Sequence, residues 1–262
     1  MKTNLTDVTF LFLIRLDSIQ RLENILIVIE KLNNYFYTNI NVCESASYNN
    51  GILKKMLNTK TNYLFVEDKD PVLHKTKYFN QMTQCVKTPF LAIWDADIVI
   101  DKKAIFESVK KLRDDEADVV YPYNGQCLEI SPIIRNYYIK KKNSQFLFRQ
   151  KGKLDLLYPH LLAGGAVFIK TQKYIDCNME NEKYYGWGND DFDRYFRFIG
   201  FDYRIYRVDT YLFHLWHPRG DNSKYRAPTV KMISDNERFK IENSSKSEIV
   251  ESIKQNENTP RL

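Results

Sequence analysis

The most chemically loaded short stretch of this chain is Asp95-Ala96-Asp97, which follows directly on the apolar run Phe90 to Trp94. An apolar run of that length reads as a buried strand, and in an open α/β sheet ligands collect at the carboxyl ends of the strands. Two carboxylates placed there repel each other unless a cation sits beside them, so a divalent metal is the economical explanation. The alternative is structural: the pair caps the helix expected over Asp101 to Leu112, or stays solvated.

A second candidate is His214-Leu215-Trp216-His217. Neutral imidazoles together with a carboxylate make a mixed N/O ligand set suited to manganese. An i, i+3 spacing puts both rings on one face only in a helix, whereas an extended segment sends them to opposite faces, which would leave one histidine as a packing residue. A third is Gly186-Trp187-Gly188-Asn189-Asp190-Asp191-Phe192-Asp193. Glycines let the backbone bend round a ligand, an indole offers a flat face for a sugar ring, and the acids open a helix whose positive end favours carboxylates. Capping alone explains one acid but not so dense a run. A fourth is a set of polar residues after earlier strands: Arg15, Glu44 and the segment His74-Lys75-Thr76-Lys77-Tyr78-Phe79-Asn80, all placed to share one sheet edge with Asp95.

The elements that must hold these groups follow from hydrophobic patterning. Short apolar runs predict strands at Val8 to Ile14, Ile40 to Cys43, Tyr63 to Val66, Phe90 to Trp94 and Val119 to Tyr121, with amphipathic stretches between them. This alternation is the mark of βαβ units around a mostly parallel sheet. Ile19, Leu22, Ile25, Leu26, Ile29 and Leu32 recur at helical spacing and give that segment one apolar stripe. Later strands are expected at Ala166 to Ile169 and Tyr203 to Val208, with a helix from the acids to Gly200. The aromatic and basic stretch Ile133 to Lys153 reads as a helix with a solvated face, or as a surface that meets anionic lipid. Beyond Arg226 the chain is polar with weak periodicity, and not all of it is assigned structure.

Composition narrows the class. With 262 residues and 44% hydrophobic content the chain can bury a real core, which points to one compact catalytic unit. The 18 Tyr and 16 Phe are many for this length; most serve as ordinary core and cleft walls, while any beyond core needs can form platforms for flat ligands. The formal charge of +6 is spread along the chain; with no zinc finger, arginine-rich arm or repeat, nucleic acid is not the expected partner. Cys43, Cys85, Cys127 and Cys177 form no C-x-x-C pair and suggest neither a zinc site nor a disulfide framework, so a reducing compartment is expected. The Val8 to Ile14 run is too short to span a membrane and is stopped by Arg15 and Asp17; the expectation is a cytoplasmic protein.

Taken in order, Arg15, Lys75 to Asn80, Trp94 to Asp97, Gly164-Gly165-Ala166, Gly186-Trp187-Gly188-x-Asp-Asp and His214-x-x-His217-Pro218-Arg219 resemble the GT-A glycosyltransferases, within them the β-1,4-galactosyltransferase and chondroitin-polymerase-like branch. The resemblance covers roughly Val8 to Arg219. It implies an α/β fold with a Rossmann-like, mostly parallel central sheet, flanking helices and a C-terminal acceptor-binding half. Residues 1–225 would be one GT-A domain, with 1–122 taking the nucleotide-sugar and 123–225 the acceptor and metal, and 226–262 a polar tail. It implies an inverting transfer of a hexose or N-acetylhexosamine, galactose or N-acetylgalactosamine being the best match, from a UDP-sugar to a saccharide or lipid-linked saccharide, with Mn²⁺ or Mg²⁺ as cofactor. Arg15, Glu44, Lys75, Lys77, Asn80 and Asp95 would bind the donor. Asp97 and His217 would hold the metal, and His214 stands where animal relatives place a ligating methionine. Gly165, Trp187 and Asp190 would line the acceptor site, and Asp191 matches the family's base. Asn189 and Asp190 replace a Gly-Glu pair, which leaves acceptor identity open, and the Golgi anchor of the animal enzymes is absent. A bacterial-style enzyme of surface-glycan synthesis, cytoplasmic or peripheral at the inner face of the membrane, is the expectation.

Two rival readings use the same residues differently. A metal-dependent phosphoester hydrolase would employ Asp95, Asp97, His214 and His217 to activate water but leaves the Gly-Trp-Gly-x-Asp-Asp run without a task. A retaining GT-A transferase would keep the donor site and change the stereochemistry.

Overall fold

The computed structural model describes residues 1–257, with side chains to residue 253. The chain opens with β1 (Thr3–Ile14), α1 (Ile19–Tyr35), β2 (Phe36–Ala46), α2 (Ile52–Met56), β3 (Thr61–Glu67), α3 (Lys75–Gln84) and β4 (Phe90–Trp94). It continues through β5 (Ile98–Val99), α4 (Lys102–Arg113), β6 (Val119–Tyr121), β7 (Cys127–Ile130), α5 (Pro132–Lys141) and α6 (Ser144–Gln150). The last part holds β8 (Ala166–Lys170), α7 (Thr171–Asp176), α8 (Asp190–Gly200), β9 (Ile205–Arg207), β10 (Leu212–Leu215), α9 (Pro228–Asn243) and α10 (Lys246–Glu257).

The main sheet has the order β3-β2-β1-β4-β8-β6-β9. The pairs β3·β2, β2·β1, β1·β4 and β6·β9 are parallel, and β8 alone runs antiparallel to both its neighbours. This is a mixed α/β architecture compatible with a Rossmann-like fold. The sequence pattern explains the centre of the sheet: Val8 and Phe10 to Ile14 are buried without alternation, as in a strand covered on both faces. Phe10, Trp94 and Phe168, from three adjacent strands, meet edge to face at 5.4 to 5.7 Å between ring centroids and lock β1, β4 and β8 together.

A second sheet, β5-β10-β7, sets His214 beside the Asp95-Ala96-Asp97 turn. β10 pairs antiparallel with β5, His214 opposite Ile98, and parallel with β7. The Asp97 carbonyl accepts from Leu215 N at 2.8 Å, so the Asp95-Ala96-Asp97 turn is bound directly to the strand that carries His214.

Local departures from the sequence reading have local causes. The Ile133 to Lys153 stretch is two helices and a short 3-10 turn rather than one helix, broken at Lys142, whose φ is 52°. Glu44 lies inside β2, which runs on to Ala46 because its polar residues still pair with β3. The segment beyond Arg226 is largely helical: α9 and α10 pack on α8, and a side-chain carbon at Gly200 would meet Ile249 Cγ2 at 2.8 Å, so glycine there lets the two helices close. Residues 258–262 of the expected polar tail lie outside the described residues. No described helix is long and apolar enough to cross a membrane, and none of the four cysteines is in a disulfide.

Candidate metal centre and adjoining cleft

A cavity of about 330 Å³ opens beside the carboxyl ends of β1 and β4. Asp95, Asp97, His214 and His217 line it, as do Gly165, Trp187, Asp190 and Asp191. Motifs far apart in sequence, from Asp95 to His217, thus face the same space.

The buried group Asp97, His214 and His217 could hold a metal ion: one ligand atom from each lies within 4.8 Å of the others. Asp97 Oδ2 stands 3.2 Å from His217 Nε2 and 3.7 Å from His214 Nε2. His217 Nδ1 lies 2.8 Å from the Pro218 carbonyl, a contact that orients the ring so that Nε2 faces Asp97. Burial lowers the pKa of His214 and keeps its imidazole neutral, as a ligand must be. Burial alone would raise Asp97, yet His214 and His217 hold its carboxyl well below the ordinary value. One carboxylate and two imidazoles make a mixed N/O donor set of a kind that suits a divalent ion. The two histidines converge because β10 ends at Leu215 and the chain turns; a strand extended through His217 would have sent them apart. The helix-capping alternative for the first acids fails too, since Asp101 caps α4, accepting from Lys103 N.

The opposite wall is built by α8 and the loop before it. Asn189 occupies the cap position without a side-chain cap bond, so neither Asp190 nor Asp191 is spent on capping. Arg194, fully buried, donates to Asp191 Oδ1 at 2.6 Å and to Glu180 Oε1 at 2.7 Å. The Asp191 carboxylate fills the place a Gly164 side chain would take: a carbon added there would lie 2.2 Å from Oδ2. Lys75 Nζ stands between Asp190 Oδ2 (3.4 Å), Asp191 Oδ2 (3.7 Å) and Asp95 Oδ1 (3.7 Å). Burial opposes its charge, but the three carboxylates keep its pKa well above the ordinary lysine value. Burial pushes Asp95 up to about 6 and Asp190 up to about 7 against the pull of Lys75. Asp191 is held below the usual carboxylate range, because Lys75 and Arg194 outweigh its burial.

The expected donor-side residues divide. Arg15 lines the cavity, but its guanidinium donates to the Ser45 and Asp70 carbonyls and to Asp68. Glu44 is buried within β2 and accepts from Tyr63 Oη at 2.6 Å. Asn80 ties α3 to the Glu180 backbone, and Lys77 is exposed; neither lines the cavity. Lys75 reaches the acids of both walls instead of standing alone. Trp187 is half-exposed at the rim, its ring 5.0 Å from that of Tyr225 in a T-shaped contact.

Sequence reasoning assigned no role to several lining groups. Arg21 and Arg219 bring cations to the metal side of the cavity, and His160, Phe192 and Arg238 line it with the α8 wall. Arg219 follows His217-Pro218 directly and was within reach of the motif. Arg238 comes from α9, where nothing in the spacing tied it to Phe192, over whose ring it lies at 4.5 Å. No protein-family model matches the chain, and no curated protein matches it either.

Proposed function

We propose that the protein is a metal-dependent GT-A glycosyltransferase that moves a hexose or N-acetylhexosamine from a UDP-sugar to a saccharide hydroxyl with inversion. The observation that carries this reading is the shared cavity: a buried Asp/His/His ligand set on one wall and an ionised, clamped carboxylate beside an exposed indole on the other. A hydrolase acting on a small phosphoester has use for the first wall only. A transferase needs both, because donor and acceptor must meet in one orientation.

Asp97, His214 and His217 would hold Mn²⁺ or Mg²⁺. Such an ion, when bound, would supply positive charge to the diphosphate that leaves. Arg21 and Arg219 add fixed cations on that side. Trp187 offers its face to the acceptor ring, and Asp190 is placed to hold an acceptor hydroxyl. Asp191 accepts the proton of the attacking hydroxyl on its carboxylate, whose position Arg194 and the gap at Gly164 define. Lys75 neutralises the acids of both walls and allows them to approach one sugar-sized space.

The test is incubation with UDP-galactose, UDP-N-acetylgalactosamine, UDP-glucose and UDP-N-acetylglucosamine, and in parallel with simple phosphoesters, all with manganese. Release of UDP from one of the sugars is expected. Phosphate from the esters with no UDP from any donor would favour hydrolysis and sink the proposal.

A further inference from the structure

Between Glu129 and Asp155 the chain carries no acidic side chain, while basic residues recur through α5, α6 and the turn that follows. Two of these are paired inward or across the surface: Arg135, buried, with Glu23, and Lys142 with Glu30. Lys140, Lys141, Arg149, Lys151 and Lys153 are exposed and have no carboxylate partner among the described residues. Some lysines elsewhere are matched close by, as in Lys110 with Asp114 and Lys231 with Asp235, while others such as Lys54, Lys55 and Lys103 are exposed without an ion pair among the described residues; what sets this stretch apart is that basic groups gather over it with no acid between them. A merely solvated face has no reason to omit every acid over this length.

The same surface exposes apolar groups. On α5, Ile133 (82% exposed) and Tyr137 (47%) stand one turn apart, with Lys140 and Lys141 a further turn on, while Arg135 and Tyr138 face inward. Tyr137 meets Phe146 of α6 in a tilted ring contact, 4.7 Å between centroids. After the 3-10 turn, Leu156 (45%) and Leu161 (59%) are exposed in a segment whose Leu157, Tyr158 and His160 line the cavity. Backbone bonds from Leu157 N to Cys127 O and from Glu129 N to Asp155 O fix that segment to β7, which leads into α5.

We propose that α5, α6 and the 154–161 segment form a docking surface for an anionic lipid bilayer. Lysine and arginine heads meet lipid phosphates, their stems and Tyr137 lie at the headgroup level, and Ile133, Leu156 and Leu161 enter the acyl boundary. Branched aliphatic side chains favour this occupant over nucleic acid, which is gripped by flat rings and forks on phosphate. Docking would bring the cavity mouth close to membrane-borne substrate, but its basis is independent of the proposed sugar transfer.

The full chain should co-sediment with vesicles containing phosphatidylglycerol and not with phosphatidylcholine vesicles, and raised salt should weaken it. A variant with Lys140, Lys141, Arg149 and Lys153 all changed to Gln should bind up to about a thousandfold more weakly, given the attraction each basic group gains near an anionic surface. Ile133→Asp should reduce binding several-fold on its own. All five positions are exposed, so an unchanged melting temperature shows that the variants fold. Equal partition onto neutral vesicles, undiminished binding by the fourfold variant, or retention on a single-stranded RNA polymer with none on vesicles would overturn the proposal.

Discussion

Asp191 has a cation at each oxygen, Arg194 at 2.6 Å and Lys75 at 3.7 Å, whereas Asp190 meets only Lys75, at 3.4 Å, and its Oδ2 is buried without a hydrogen bond. Burial accordingly pushes the Asp190 carboxyl up while the two cations hold Asp191 down, and each yields a prediction. Asp191→Asn nearly keeps the shape and should leave UDP binding intact while cutting transfer by about two to four orders of magnitude, the usual worth of a positioned base; steady-state rates beside UDP titration decide it. Arg194→Ala leaves Glu180 buried without its partner and should cost about 3 to 5 kcal/mol by urea unfolding. For Asp190 the folded pKa of about 7 lies above the ordinary 3.8, so the group's stabilising share is complete below pH 4 and lost as pH rises to about 7. The melting temperature of the parent minus that of Asp190→Asn should accordingly fall across this window, and a constant difference would refute the assignment. The identity of the acids was legible because two carboxylates after Trp187 exceed what a helix start requires. Their division of labour was not, because it depends on Gly164, Glu180 and Lys75, which the sequence leaves far from Asp191.

The strands most cleanly read, Phe90 to Trp94 and Val119 to Tyr121, are short, wholly apolar and buried, so burial and propensity point the same way. The small sheet was hidden because β5 has only Ile98 and Val99, and its pairing with β10 closes a long loop rather than a local pattern. That sheet makes Asp97 and the two histidines converge. The helices after Arg226 were obscured for a different reason: their periodicity is weak, and only a few positions such as Ser234, Ile249 and Ile253 are buried. Those few contacts reach the cleft, since Ser234 Oγ accepts from Asn189 N at 3.3 Å and from its side chain at 3.2 Å. Ile249→Ala opens a cavity against Gly200 and should destabilise the fold by about 2 to 5 kcal/mol, as chemical denaturation would report. A change within a few tenths of a kcal/mol would mean that α10 merely rests on the surface.

Across the whole molecule, the strand order β3-β2-β1-β4 is compatible with a Rossmann-like sheet, and the cavity lies at its carboxyl edge. The antiparallel β8 and the second sheet then bring the acids and histidines of the later chain back to that edge. Topology thereby turns six motifs that are individually ambiguous into one two-walled site, which is why their order along the chain said more than any single one. The central claim is that Asp97, His214 and His217 serve sugar transfer through a divalent ion. UDP release from the preferred UDP-sugar, followed before and after exhaustive chelation and again on readdition of manganese, tests it most directly. Release should disappear with chelation, return with manganese in the parent and fail to return in Asp97→Ala. Full release after the metal has been stripped would contradict the account.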